Sequence, residues 1–460
     1  MMKILLSLIL FTSAIANAQF TIKGKMTPPE DSDWVMLHKL QGMKPKYIGN
    51  ATIKFNTISV GADKQVIGKF SFELPSDTEP GVYRVTYRTR GAGFIDFIFN
   101  RENVEFIFNP KYPEQSIVFT DSRENKIYSE YLDLYSKIQN KVNGLQMEYL
   151  KNPSKDVKKS YKKELSDLKD LQKKFEKKSE GMLVNNFIKS SQRYNSSSII
   201  DEMPEYVSNK VDNFFEYVDF DNDVLYNSSF LIDRVNDFVF YMNYSEDQVT
   251  QEKLHKESIE KVIEIVSKNK KVKKEIIEFL TTSFTDKRNS KIVDWLFSEF
   301  YDNLPNKDEA FKKKKLDQLS VSVGREAPDF SWRENGINFK LSELVDGEHY
   351  LLIFWSTGCP HCTSEIPEVH KIMKEFKTTS VISFAIENDN VEFNKFKKKL
   401  GGWHNAIGTH PKYKFENEVV KKYKIDATPT YFVLDQNKKI IAIPNKIDDV
   451  QKFFKNIHNN

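Results

Sequence analysis

The chain has 460 residues, more than one ordinary hydrophobic core can serve, so about three domains are expected. Its 69 basic and 65 acidic residues nearly cancel to +4, which gives no electrostatic footprint for a nucleic-acid or acidic-membrane partner. Hydrophobic residues at 39% and charged residues at 29% fit a soluble globular protein, and 35 Phe supply ample material for burial.

The N-terminus, MMKILLSLILFTSAIANAQF, reads as an address. Lys3 precedes an apolar run from Ile4 to Phe11, and Ala16-Asn17-Ala18 follows. This is the order of a secretory signal peptide over residues 1–18, with cleavage leaving Gln19 first. The apolar run is well short of the roughly 20 residues of a membrane span. No cysteine follows it, which excludes a lipoprotein anchor, and no later segment is long and apolar enough to cross a bilayer. The mature protein is therefore expected in an oxidising compartment, where disulfides persist.

Residues 19–120 read as strands. IGKFSFELP, GVYRVTYRT, FIDFIFN and VEFIFNP alternate or nearly so, with Pro80-Gly81 and Arg101-Glu102-Asn103 as connections. The pattern predicts an antiparallel β-sandwich whose aromatic residues form its core. No ligand chemistry is visible in it.

At Asp121 the period changes. Ile127, Tyr131, Leu134, Ile138, Val142, Leu145 and Tyr149 are spaced by threes and fours, as are Val157, Tyr161, Leu165, Leu168, Leu171 and Phe175. Lys151-Asn152-Pro153 separates the two runs, and Gly181 suits a helix C-terminus. Residues 121–320 are thus expected to be a helical region opened by a helical hairpin. Its lysine runs are interleaved with glutamates and read as solvated faces. Its apolar seams could pack within the chain or pair two copies in a homodimer.

From about residue 321 to 460 strands and helices alternate, and a hairpin follows. YLLIFW and VISFAI read as buried strands, YFVLD and KIIAIP as the hairpin about Gln436-Asn437, and IDDVQKFFKNI as a final helix. This predicts an α/β sheet with a mixed edge. Between YLLIFW and the next helix lies STGCPHC, with Cys359 and Cys362 the only cysteines in the chain. A bridge closing so short a loop constrains little of the unfolded chain, so a purely structural role is a weak explanation. At a strand end and helix start, the Cys359 sulfur faces unpaired backbone N–H groups and the positive end of the helix dipole. That favours the thiolate, which is the nucleophile. Pro360 suits the first helical turn. Cys362 sits one turn on, placed to resolve a mixed disulfide. A zinc site would need four ligands, and His361 between the cysteines would point elsewhere, so no metal is expected. A peroxidase cysteine would follow a Pro-x-x-x-Thr-x-x-Cys pattern. Here Thr357 is two before Cys359, and Ile353, not proline, is four before Thr357.

The stretch FW-x3-CPHC-x2-E-x-P, followed downstream by Thr428-Pro429-Thr430 and YFVLD and preceded by VGREAPDF, resembles the thioredoxin-like superfamily. More narrowly it is similar to the TlpA/ResA-like envelope thiol-disulfide oxidoreductases. The resemblance implies that Cys359 attacks, Cys362 resolves, and Pro429 is a cis-proline facing the sulfurs. Thr428 would offer its backbone to a substrate chain. Pro360, His361 and Trp355 would border the substrate. Glu365 matches the glutamate of the family's CxxCxxE motif and would handle protons or tune the thiols. Three features depart from relatives. Gly358 stands where many carry Trp. Ile353 stands where plain thioredoxin has a buried aspartate. Pro360-His361 is the dipeptide of the strongly oxidising DsbA proteins, and His361 is expected to favour a Cys359 thiolate.

The resemblance implies a thiol-disulfide oxidoreductase of the periplasm or cell envelope, with no cofactor beyond the dithiol. Its partners would be protein thiols and disulfides, and a membrane or periplasmic electron donor. Reduction is the first expectation of direction. An oxidase or isomerase, a thiol peroxidase, and a partner-binding protein with a vestigial redox site remain alternatives.

Overall fold

The computed structural model describes residues 18–458, apart from residues 31, 61–62, 89–92 and 243. The signal-peptide reading covers residues 1–18, of which 1–17 lie outside the described residues. The chain divides into two compact units, with the division between Ile276 and Ile277.

The first unit opens with nine strands: β1 (Ala18–Met26), β2 (Trp34–Gln41), β3 (Lys44–Thr52), β4 (Lys54–Val60), β5 (Asp63–Pro75), β6 (Gly81–Thr86), β7 (Phe94–Phe99), β8 (Val104–Phe108) and β9 (Val118–Asp121). They form two sheets, ordered β4-β5-β1-β8-β9 and β3-β2-β6-β7. Alternate residues of each sheet meet in one core, Ile22, Phe70, Phe72 and Phe106 from the first and Leu37, Tyr83, Val85 and Phe97 from the second. Phe97 and Phe106 meet across it with their rings tilted and centroids 5.7 Å apart. One pairing departs from an all-antiparallel sandwich, since β1 and β8 run parallel. The chain leaves the first sheet after β5, builds β6 and β7 in the second, and re-enters beside β1 in the same direction. Gly24 on β1 leaves room for the Phe70 ring, because a Cβ there would lie 2.0 Å from the ring's Cζ.

The helical hairpin follows, Arg123–Lys151 and Lys155–Lys178, with the Ser122 and Ser154 side chains capping the two N-termini. Buried Asn125 ties the first helix to the sandwich, accepting from Ile98 N–H at 2.9 Å and donating to its carbonyl at 2.7 Å. The buried seam is more polar than the spacing suggests. Gln139, Gln146 and Gln172 are buried in it, while Leu134 and Ile138 are only half-buried. Each glutamine is satisfied. Gln146, for example, bonds both the N–H and the carbonyl of Ile200, at 2.9 and 2.8 Å.

In the second unit the helices Ser290–Leu296 and Glu309–Gln318 precede two hairpin strands, β10 (Ser331–Glu334) and β11 (Ile337–Lys340). Ser290 Oγ donates to the Val323 carbonyl at 2.6 Å, and Arg325 pairs with Asp294, so the helix Ser290–Leu296 is fastened to the segment that leads into β10. The main sheet has β12 (His349–Trp355), β13 (Thr379–Glu387), β14 (His404–Thr409), β15 (Thr430–Asp435) and β16 (Ile440–Ala442), ordered β14-β13-β12-β15-β16. β12, β13 and β14 are parallel, β15 is antiparallel to β12, and β16 is antiparallel to β15. β12 is central and covered on both faces, which explains its unbroken apolar run. Tyr350, Leu352 and Phe354 enter one core, and Leu351, Ile353 and Trp355 enter the other, beneath the helix Pro360–Met373.

Candidate active site

The central strand ends at Trp355, a loop of four residues ending in Cys359 follows, and the chain turns into a helix at Pro360. Cys359 is the N-cap of that helix. Its sulfur accepts from the Cys362 backbone N–H at 3.2 Å, taking the role a serine or aspartate side chain usually plays. The Cys359 thiol is 3.6 Å from the Thr428 carbonyl, to which it donates, so the Thr428-Pro429 segment is brought against the first sulfur. The Thr428–Pro429 peptide bond is cis. Both cysteines are free thiols, Cys359 half-buried and Cys362 fully buried.

The two sulfurs are electrostatically unequal. Burial works against ionising Cys359. Hydrogen bonds from the Cys362 thiol and backbone N–H, from Thr428 and from the His361 backbone N–H outweigh it and bring the group below the ordinary cysteine value. Cys362 goes the other way. Burial, and then its hydrogen bond to Cys359, push it up to about 11. Cys359 is therefore the more readily ionised of the two thiols, and Cys362 the less.

Behind Cys362 lies Glu365, with only 10% of its side chain exposed. One carboxylate oxygen accepts from the Tyr431 hydroxyl at 2.7 Å, and the other meets His361 Nε2 at 2.7 Å. Burial, then the bond to Glu365, and also the charge at Cys362, raise the Tyr431 hydroxyl well above the ordinary tyrosine range. Tyr431 thus links the two, bonding Glu365 and sensing the charge of Cys362.

Pro360, His361, Thr428 and Pro429 are at least partly exposed around the half-buried Cys359. Two expectations are corrected. Trp355 does not border a substrate. It is 0% exposed, its indole N–H donates to Ser383 Oγ at 2.7 Å, and its ring packs on Phe396 at 4.9 Å. As the last strand residue it points into the core under the helix, on the same side as Ile353. The His361 imidazole does not face Cys359 either. It turns one helical turn onward to Glu365, and it is the backbone N–H of His361 that favours the thiolate.

Three contributors escaped the sequence reading. Tyr431 stands two residues after Pro429 and looks like any strand aromatic. Buried Glu387, at the end of β13, accepts from the Thr357 N–H at 2.5 Å and from Ser356 Oγ at 3.4 Å. Lys414 Nζ donates to Ser356 Oγ at 2.7 Å, and that same oxygen accepts from the Gly358 N–H at 3.2 Å. Together Ser356, Glu387 and Lys414 hold the loop that presents Cys359. The only sequence signal was a carboxylate closing a buried apolar strand. Gly358 is exposed, and a Cβ there would make ordinary contacts, the nearest at 3.6 Å with Lys414 Nζ. Among the described residues no group of three or more His, Cys, Asp or Glu is placed to hold a metal.

The family model described as AhpC/TSA family matches residues 323–443. The thiol-disulfide oxidoreductase ResA of Geobacillus kaustophilus is 25% identical over 147 residues, 31% of this chain and 81% of that protein. The thioredoxin-like protein YneN of Bacillus subtilis is 27% identical over 122 residues, 26% of this chain and 69% of that protein. Among solved structures, a thioredoxin-like protein from Bacteroides caccae aligns over 56% of this chain and 95% of its own, at 20% identity and a TM-score of 0.37. The sheet, the helix-capping cysteine and the dithiol all fall in the stretch that matches the AhpC/TSA family, so residues 323–443 form a thioredoxin-like domain similar to the ResA thiol-disulfide oxidoreductases.

Proposed function

We propose that this chain is an exported protein thiol-disulfide oxidoreductase that reduces client disulfides through Cys359 and Cys362. The observation that carries the reading is the inequality of the two thiols, one lowered and half-exposed, the other buried and pushed up to about 11. The Cys359 thiolate attacks a client disulfide, forming a mixed disulfide and releasing one client thiolate, which takes up a proton. Cys362 then loses its proton to Glu365, whose carboxylate is held by Tyr431 and His361. The Cys362 sulfur attacks Cys359, the Cys359–Cys362 disulfide forms, and the second client thiol leaves. Two electrons pass from the dithiol to the client. A membrane or periplasmic thiol donor returns them, and no further cofactor takes part. Thr428 offers its backbone beside the attacking sulfur, and Pro429, Pro360 and His361 border the client chain.

The signal-peptide pattern at residues 1–18 supports placement in the periplasm or cell envelope. No helix among the described residues is long and apolar enough to cross a membrane. In this reading residues 321–460 carry the chemistry, while residues 19–120 and 121–320 engage partners, the helical region also pairing two copies. The test is a protein-disulfide assay. Pre-reduced protein should release client thiols stoichiometrically, and Cys362→Ser should trap the client on Cys359. Reduced protein that neither releases client thiols nor forms a trapped adduct defeats the proposal.

One observation favours the opposite direction of electron flow. The hydrogen bonds that stabilise a Cys359 thiolate stabilise the reduced form, and a stabilised reduced form is a stronger oxidant. Equilibration against glutathione buffers separates the two. A potential near that of thioredoxin keeps the reductase reading, and one near that of DsbA makes the protein an oxidase.

A further inference from the structure

The first unit contains a pocket of about 300 Å³ whose lining includes Arg193, Lys210, Arg234, Tyr194, Tyr206 and Phe214. It is assembled from the loop after residue 190 and the helices Met203–Asp212 and Phe230–Tyr241. Its chemistry is unbalanced. Arg234 is only 8% exposed. One of its terminal nitrogens donates to the Phe214 carbonyl at 3.2 Å, and the guanidinium lies over the Phe214 ring at 4.2 Å. Its Nε is buried with no acceptor. Lys210 Nζ finds only neutral acceptors, the Tyr194 carbonyl at 2.9 Å and Asn195 Oδ1 at 3.0 Å.

Among the described residues, none of these three cations forms an ion pair. A buried guanidinium ordinarily has a carboxylate or a full set of acceptors, because leaving a charge unpaired out of water is costly. The ring beneath Arg234 offsets part of that cost but cannot accept from Nε. Burial, and then the charge of Arg193, push Lys210 down to about 8. Burial and Arg193 likewise push Arg234 down to about 10, with Asp237 the carboxylate acting the other way. The pocket is short of negative charge, and it is walled by aromatic side chains that suit a flat apolar body.

We propose that this pocket binds a small organic anion with a flat apolar body, its anionic head taken by Arg234, Lys210 and Arg193 and its body lodged among Tyr194, Tyr206 and Phe214. The head supplies the counter-charge that all three cations lack. Two guanidiniums and an ammonium suit a carboxylate or a phosphate monoester, and the volume limits the ligand to a single ring system with short substituents. This site is independent of the dithiol chemistry.

The test is isothermal titration calorimetry on the full mature protein, with phenyl phosphate, benzoate, inorganic phosphate and benzamide as probes. Phenyl phosphate or benzoate should bind saturably. Phenyl phosphate should bind about tenfold more tightly than inorganic phosphate, and benzamide, isosteric with benzoate but uncharged, should not bind. Arg234→Gln removes a charged donor and should raise Kd roughly tenfold or more. Arg193→Gln alters an exposed side chain and should weaken binding in the same direction, so the proposal stays testable if the buried substitution does not fold. Four results overturn it: no saturable binding of either aromatic anion, benzamide binding as well as benzoate, inorganic phosphate matching phenyl phosphate, or affinity unchanged in every variant that folds.

Discussion

Cys362→Ala tests how the attacking thiol is activated. The largest of the effects that lower Cys359 is the hydrogen bond from the Cys362 thiol, ahead of the Cys362 backbone N–H at 3.2 Å. Alanine removes the first and leaves the second. A hydrogen bond to a charged group contributes about 1.5–3 kcal/mol, and Cys359 is half-exposed, so the lower end applies. One pKa unit corresponds to about 1.4 kcal/mol. Cys359 should therefore titrate higher in Cys362→Ala, and below its pKa it should alkylate roughly threefold more slowly, the loss of thiolate being partly offset by the greater nucleophilicity of a more basic sulfur. Cys362→Ser keeps a hydroxyl donor at the same position and should stay close to wild type. The assay is the pH profile of iodoacetamide alkylation of the fully reduced protein, with the site read by mass spectrometry. Coincident profiles for wild type, alanine and serine variants would refute the hydrogen-bond account and leave the helix terminus as the cause. A lower value in alanine than in serine would reverse it.

The second thiol has a stability signature. Its folded pKa, about 11, lies above the ordinary 9.0, so the stability it contributes is fully present below 9 and is lost as pH rises through about 11. Across that window the urea stability of reduced wild type should fall about 2–3 kcal/mol further than that of Cys362→Ala; parallel curves would contradict the burial argument. Trp355→Phe leaves buried Ser383 without its indole donor and should cost about 1–3 kcal/mol in chemical denaturation. Unchanged stability with a raised KM for client would return Trp355 to the substrate surface. Glu387→Ala strips the acceptor from Thr357 N–H and Ser356 and should lower client kcat/KM by about tenfold with the circular dichroism spectrum preserved. Full activity would show that the loop holds itself. Intact mass of the exported protein should begin at Gln19, and a mass that still includes Met1 would remove the export proposal.

The attacking centre was largely legible because its geometry is local. A strand, a short loop, a cysteine, a proline and a second cysteine one turn later dictate which sulfur meets the backbone N–H groups, whatever surrounds them. The β12 run was legible for a related reason, since only a strand covered on both faces carries so many apolar residues in succession. The helical seam was less so. Gln139, Gln146 and Gln172 are buried because loop backbone and neighbouring side chains satisfy their amides, and that partnership is invisible to a reading that counts apolar spacing alone.

The amino-acid sequence by itself determined the alternation of strand, helix and turn, the place of the dithiol at a helix start, and which sulfur is activated. Each follows from interactions between residues a few positions apart. The sheet register decided the rest. Pairing Ile353 with Tyr431 and Trp355 with Ala385 places Tyr431 in the core under the active-site helix and closes Trp355 into that core. The same β13 strand ends at Glu387, which reaches the loop beside Cys359 across the sheet. Which carboxylate holds the loop and which hydroxyl holds Glu365 depend on residues far apart in the chain. Only burial in a common core brings them within hydrogen-bonding distance, because an unpaired polar group there costs more than the chain order can reveal.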